Sequence, residues 1–169
     1  MRDLDRLDRG IVAWMARHGV TVLRVSLGLI FVWFGALKFI PGLSPAQDLA
    51  VDTVGVLSFG LLGADAARVA IAALETLIGV GLLGAVLLRA VIALLCVQLL
   101  GTMTPIVLFP DAVFGAAPLV PTLEGQYIFK NLVLIGAALV IGATVRGGRL
   151  HAERTIDLPS VRGAHLHVE

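Results

Sequence analysis

The chain has 169 residues, 58% of them hydrophobic and 15% charged, with a mean hydropathy of +0.96, against roughly 45–50% apolar and about 25% charged for soluble domains. A water-soluble globule of this size cannot hide that much apolar surface, so the composition points to a lipid-embedded, all-helical protein of one domain. A net charge of +1 with balanced signs gives no electrostatic footing for nucleic acid, and the single cysteine, Cys96, excludes an intramolecular disulfide or a cysteine metal cluster.

Residues 1–19 read as an amphipathic helix in the membrane interface. Leu4, Leu7, Ile11, Trp14, Met15 and His18 recur at helical spacing, while Asp5, Arg6, Asp8, Arg9 and Arg17 fill the other face. Trp14 suits the headgroup level, and the arginines suit an anionic cytoplasmic leaflet. The first long apolar run starts after several arginines and is followed by Pro41 and Gly42 without an Ala-x-Ala site. It therefore reads as a retained helix, not a cleaved signal.

Four apolar runs, 20–40, 66–88, 90–109 and 127–145, are each long enough for a hydrocarbon core of about 30 Å. They define a four-transmembrane-helix bundle over 20–146, with 147–169 as a cytoplasmic tail. The second and third runs are separated by Arg89 and its neighbours, which requires a tight antiparallel hairpin. The connections from Pro41 to Asp65 and from Pro110 to Gln126 hold Pro41, Pro45, Pro110, Pro118 and Pro121 and read as ordered loops or short re-entrant segments. Gly147-Gly148 reads as a helix stop.

Arginines crowd the N-terminal segment, the middle turn and the tail, whereas Lys38, Arg68 and Lys130 stand on the other side beside Asp48, Asp52, Asp65, Asp111 and Glu124. The positive-inside rule then places both termini in the cytoplasm. Gly28 and Gly35, the cluster Gly79, Gly81 and Gly84, and Gly136, Ala138 and Gly142 read as stripes for close helix approach, toward the bundle or toward a second copy in a homo-oligomer.

Ionisable groups inside a bilayer are costly, on the order of 2.5–3.5 kcal/mol at a helix centre, so each asks for a partner or a purpose. Given the topology, Lys38, Glu75 and Lys130 fall in the outer half of the bundle, with Asn131 and Gln98 nearby. One reading is a buried polar cluster that binds a ligand. The other is structural: the lysines snorkel and Glu75 pairs with one of them to fix helix register. Arg24 reads as snorkelling to the cytoplasmic interface. His18, His151, His165 and His167 lie outside the spans, so no intramembrane histidine can ligate haem. His165 and His167 without a third ligand do not make a metal site, and no phosphate loop or nucleophile elbow occurs.

Segments from all four spans resemble the YkgB/RclC-type inner-membrane proteins of the DoxX-like group: Arg24-Val-Ser-Leu-Gly-Leu-Ile-Phe-Val-Trp-Phe-Gly-Ala-Leu-Lys38-Phe, Glu75 with Ile78-Gly79, Thr102-Met-Thr-Pro105, and Glu124-Gly-Gln-Tyr-Ile-Phe-Lys130-Asn-Leu-Val-Leu-Ile-Gly136. The resemblance implies a four-helix protein of a bacterial inner (plasma) membrane, linked to quinone-dependent sulfur oxidation or to oxidative and reactive-chlorine stress. Its polar signature falls on Arg24, Trp33, Lys38, Glu75, Glu124 and Lys130. The expectation is a redox-associated subunit binding a quinone or similar amphiphile, with no covalently bound cofactor, no metal, and an oxidoreductase partner subunit supplying the electron carrier. Two alternatives stay open: a small proton-coupled transporter using Glu75, and a ligand-free scaffold or membrane anchor.

Overall fold

The computed structural model describes residues 2–44, 47–115 and 120–148. The described residues are helical, in the order α1 (Arg2–Lys38), α2 (Gln47–Leu57), α3 (Ala64–Gly84), α4 (Leu88–Met103), α5 (Pro105–Leu108), α6 (Pro110–Val113) and α7 (Leu123–Thr144). One isolated antiparallel bridge, Phe114 to Pro121, is the only strand-like pairing among them. Four stretches are long and apolar enough to cross a membrane: Leu4–Lys38, Ala64–Gly84, Leu88–Leu108 and Leu123–Thr144. The expected tail, with His151, His165 and His167, lies outside the described residues apart from Gly147 and Gly148, as do Pro45 and Pro118.

The first two expected elements are in fact one. An interfacial helix over 1–19 and a span over 20–40 merge into the unbroken 37-residue α1. Nothing at the expected junction stops the helix, since Gly19 is the sole breaker there and one interior glycine costs only about 1 kcal/mol. At 1.5 Å per residue α1 is roughly 55 Å long, against about 30 Å of hydrocarbon. Its first turns consequently project past the rest of the bundle, and residues 4–19 are exposed throughout.

The other boundaries shift for identifiable reasons. The hairpin expected around Arg89 is tight, but it turns on Ala85 and Leu87, both left-handed at φ 54° and φ 47°. The N–H groups of Ala85 and Val86 bond back to the carbonyls of Leu82 and Gly81 and close off α3. Arg89 falls in the first turn of α4. The third span breaks where Pro105 lacks an N–H to continue the ladder, and the Thr104 hydroxyl donates to the Gly101 carbonyl at 2.7 Å. The fourth starts earlier than expected because Thr122 caps it, its hydroxyl accepting from the Gly125 N–H at 3.0 Å and donating to the Ala112 carbonyl at 2.6 Å.

The four long helices form a ring in which α1 packs on α3, α3 on α4, α4 on α7 and α7 on α1. Leu27 and Phe31, Ile78 and Leu82, Val91, Leu95 and Leu99, and Ala137, Ala138 and Ile141 make a shared core. The α1–α3 seam is the closest. A Cβ on Gly79 would stand 2.5 Å from the Val32 nitrogen and 2.8 Å from the Gly28 carbonyl oxygen, and one on Gly35 would stand 2.7 Å from the Thr76 nitrogen. Such close backbone approach holds helices together in lipid, where apolar burial gives no advantage. Gly136 faces open space, away from the bundle.

Two arginines fasten this antiparallel pair at opposite ends. Arg24 on α1 donates through Nη1 to the Leu82 carbonyl and at 3.2 Å to that of Leu83, in the last turn of α3. Arg68 on α3 donates to the Lys38 carbonyl at 3.1 Å and the Phe39 carbonyl at 2.7 Å, where α1 ends. Each guanidinium bonds carbonyls at the C-terminal end of a helix and sits at the negative end of that helix's dipole. Arg24 thus turns inward to α3, where the sequence alone suggested snorkelling.

Candidate functional site: a polar-floored cavity

The last turns of α1 and α4 and the first turns of α3 and α7 share one end of the bundle, and there they surround a cavity of about 550 Å³. Its walls come from Ile30, Phe31, Phe34 and Lys38 on α1, Ile71 and Glu75 on α3, Val97, Gln98, Leu99, Gly101, Thr102 and Pro105 on α4 and α5, and Glu124, Tyr127, Ile128, Lys130, Asn131 and Leu134 on α7. The connecting helix α2 completes it with Leu49, Ala50, Thr53, Val54 and Leu57, together with Ser44. The α2 residues recur at i, i+1, i+4, i+5 and i+8, one face of a helix, and Thr53 on that face is only 4% exposed. The first long connection therefore acts as a wall, not as a span.

Glu75 is the anchor of the polar part. It is buried, and its Oε2 accepts from Lys38 Nζ at 2.6 Å, with each side chain 12% exposed. Its other oxygen, Oε1, accepts from Gln98 Nε2 at 3.2 Å. A carboxylate in this setting is tolerable because both oxygens are engaged and its charge is matched. One turn further along α4, Asn131 Nδ2 donates to Thr102 Oγ1 at 2.9 Å, and the Thr102 hydroxyl donates to the Leu99 carbonyl at 2.8 Å.

Of the residues expected to act together, Lys38, Glu75 and Gln98 form one hydrogen-bonded set, and Asn131 stands beside it through Thr102. Glu124 and Lys130 line the same cavity but join neither set. Lys130 is exposed, and its ammonium lies 5.2 Å from the centre of the Tyr127 ring, a cation–π contact at the rim. Of the expected cluster of Lys38, Glu75 and Lys130, Lys38 pairs with Glu75, while Lys130 stands exposed at the cavity rim. Trp33 does not reach the cavity and is 70% exposed on the outer surface of α1. Trp14 and His18 stack at 5.4 Å between ring centres on the projecting part of that helix.

Sequence reasoning missed the contribution of α2, of Phe31 and Phe34, and of Tyr127, the single tyrosine. The helical spacing of Leu49, Thr53 and Leu57 was the available signal for the first. Among the described residues no three His, Cys, Asp or Glu side chains converge as a metal site would require. A second, shallower pocket of about 330 Å³ lies between α2 and Phe109. Its charged group, Asp52, is exposed.

The arrangement can hold an amphiphile, with apolar walls for a chain or ring and a neutralised polar floor for a head. Comparison with protein-family models, curated proteins and solved structures returns no match.

Proposed function

We propose that this chain is a DoxX-like protein of the bacterial inner membrane, a redox- or oxidative-stress-associated subunit that binds a quinone or similar amphiphile in the outer half of its bundle. The observation that carries the reading is the cavity of about 550 Å³ whose mainly apolar lining converges on buried Glu75 and its part-buried partners Lys38 and Gln98. A concave, largely apolar pocket with a few converging polar groups is the usual form of a small-molecule site, and intramembrane ionisable groups mark functional sites by default. Both termini lie on the cytoplasmic side in this reading, because Arg17, Arg24, Arg89 and Arg146 gather at the end of the bundle opposite the cavity. Electrons come from a partner oxidoreductase subunit, with this chain supplying the lipid-facing binding site.

The test is chemical. Protein purified in mild detergent is extracted with organic solvent and its small molecules identified by mass spectrometry, for the native chain and for Glu75→Gln. A quinone or related amphiphile in stoichiometric amount, lost from the variant, is the expected result. Bulk phospholipid alone, equal from both proteins, would remove the basis for the proposal and favour the scaffold reading.

A further inference from the structure

The hydrogen bonds at the cavity floor determine which ends of the two amides are left for a ligand. An ionised carboxylate only accepts, so Gln98 must present its NH₂ to Glu75, as it does at 3.2 Å. The hydroxyl of Thr102 spends its one proton on the Leu99 carbonyl, so Asn131 must likewise present its NH₂ to that oxygen. The carbonyl oxygens Gln98 Oε1 and Asn131 Oδ1 therefore remain, and neither accepts a hydrogen bond from the described residues. Gln98 and Thr102 are four residues apart on α4, so the two amides sit about one helical turn apart. Each belongs to a residue of the cavity wall.

Charge constrains the ligand as sharply as hydrogen bonding does. The lining holds two cations, Lys38 and Lys130, and two anions, Glu75 and Glu124. At the floor, Lys38 and Glu75 already neutralise each other at 2.6 Å. A carboxylate, phosphate or ammonium head placed there would bring an unmatched charge into a largely apolar space.

We infer that the cavity selects an amphiphile with a neutral, hydroxyl-bearing head whose O–H groups donate to Gln98 Oε1 and Asn131 Oδ1. The remaining N–H directions of Lys38 can donate to an oxygen of the same head. The inference rests on the amphiphile-binding reading and sharpens it: a hydroquinone or alkylphenol suits the floor better than the matching quinone, because a quinone has only acceptors to offer two acceptor oxygens. A site built around such acceptors discriminates strongly against analogues without the donor, since its own polar groups are then left unpaired.

The experiment uses the full chain in lipid nanodiscs under anaerobic conditions. Decylhydroquinone, the corresponding decylbenzoquinone, the hydroquinone dimethyl ether and decanoate are titrated by calorimetry. The hydroquinone should bind about tenfold or more tightly than the ether and the quinone, with decanoate weakest. Asn131→Leu should bring the hydroquinone-to-ether ratio toward one. Equal binding of hydroquinone, quinone and ether, or tightest binding of decanoate, overturns the inference yet leaves an amphiphile site in place. Failure of all four probes to bind overturns both. A hydroquinone preference undiminished in Asn131→Leu and in Gln98→Leu overturns the assignment to these two oxygens. If either variant fails to fold, the series on the native chain still decides.

Discussion

Glu75 and Lys38 are each tolerable inside the bundle only through the other. The pair is separated by 2.6 Å with little exposure on either side chain, and removing one member of such a pair leaves an uncompensated buried charge, at about 3–5 kcal/mol. Lys38→Met should accordingly lower stability by about 3 kcal/mol in reversible unfolding from detergent. Lys38→Met combined with Glu75→Gln should recover more than half of that loss, since the neutral amide still meets Gln98 and no charge is stranded. A double variant no more stable than the single one would show that the ion pair is not what organises this end of the bundle. The residue scale is also where the sequence was most informative. Intramembrane Lys38, Glu75, Gln98 and Asn131 stand out against apolar neighbours, and the helix order brings them to one cavity. The sequence carried no sign of which partner each would choose. Lys130 and Lys38 look alike in a hydropathy profile, and only their angular positions on α7 and α1 separate a rim residue from a buried ion pair.

At the scale of elements, the closest contact is between α1 and α3, where Gly79 meets the backbone of Val32 and Gly28. Gly79→Ala has no flexible side chain to push aside on that side, so the two helices must part, and overpacking of this kind costs typically 1–3 kcal/mol. A drop of about 2 kcal/mol in unfolding free energy is expected for Gly79→Ala. Gly136→Ala faces open space and should change stability by less than about 0.5 kcal/mol. Equal effects at the two positions would argue against the seam. Element existence was legible because four apolar runs of spanning length leave few alternatives, whereas element ends were not. The α1 junction had only Gly19 to mark it, and the α7 start depends on Thr122, whose capping role shows only once Ala112 and Gly125 are in place. The α2 wall had a readable period but sat in a stretch flanked by Pro41 and Gly60, which disguised it as a loop.

For the molecule as a whole, the cavity lies at one end and Arg17, Arg24, Arg89 and Arg146 at the other. The orientation proposed above makes a direct prediction in cells. With Cys96 replaced by Ala, a cysteine at Phe59, which is 93% exposed beside α2, should react with a membrane-impermeant maleimide in spheroplasts. A cysteine at Ala13, on the exposed part of α1, should react only after lysis. The reverse pattern would turn the protein over and place the cavity in the cytoplasmic leaflet.

The reciprocal arginine clamps bear on how the protein is made. As α1 leaves the translocation machinery it carries Arg24 and Lys38, two cations near opposite ends of its apolar stretch, and the carbonyls and carboxylate that satisfy them belong to α3. Arg68 on α3 in turn waits for the end of α1. Each helix thus carries part of the other's polar complement, and α1 and α3 rest in lipid at lower cost as a pair than singly.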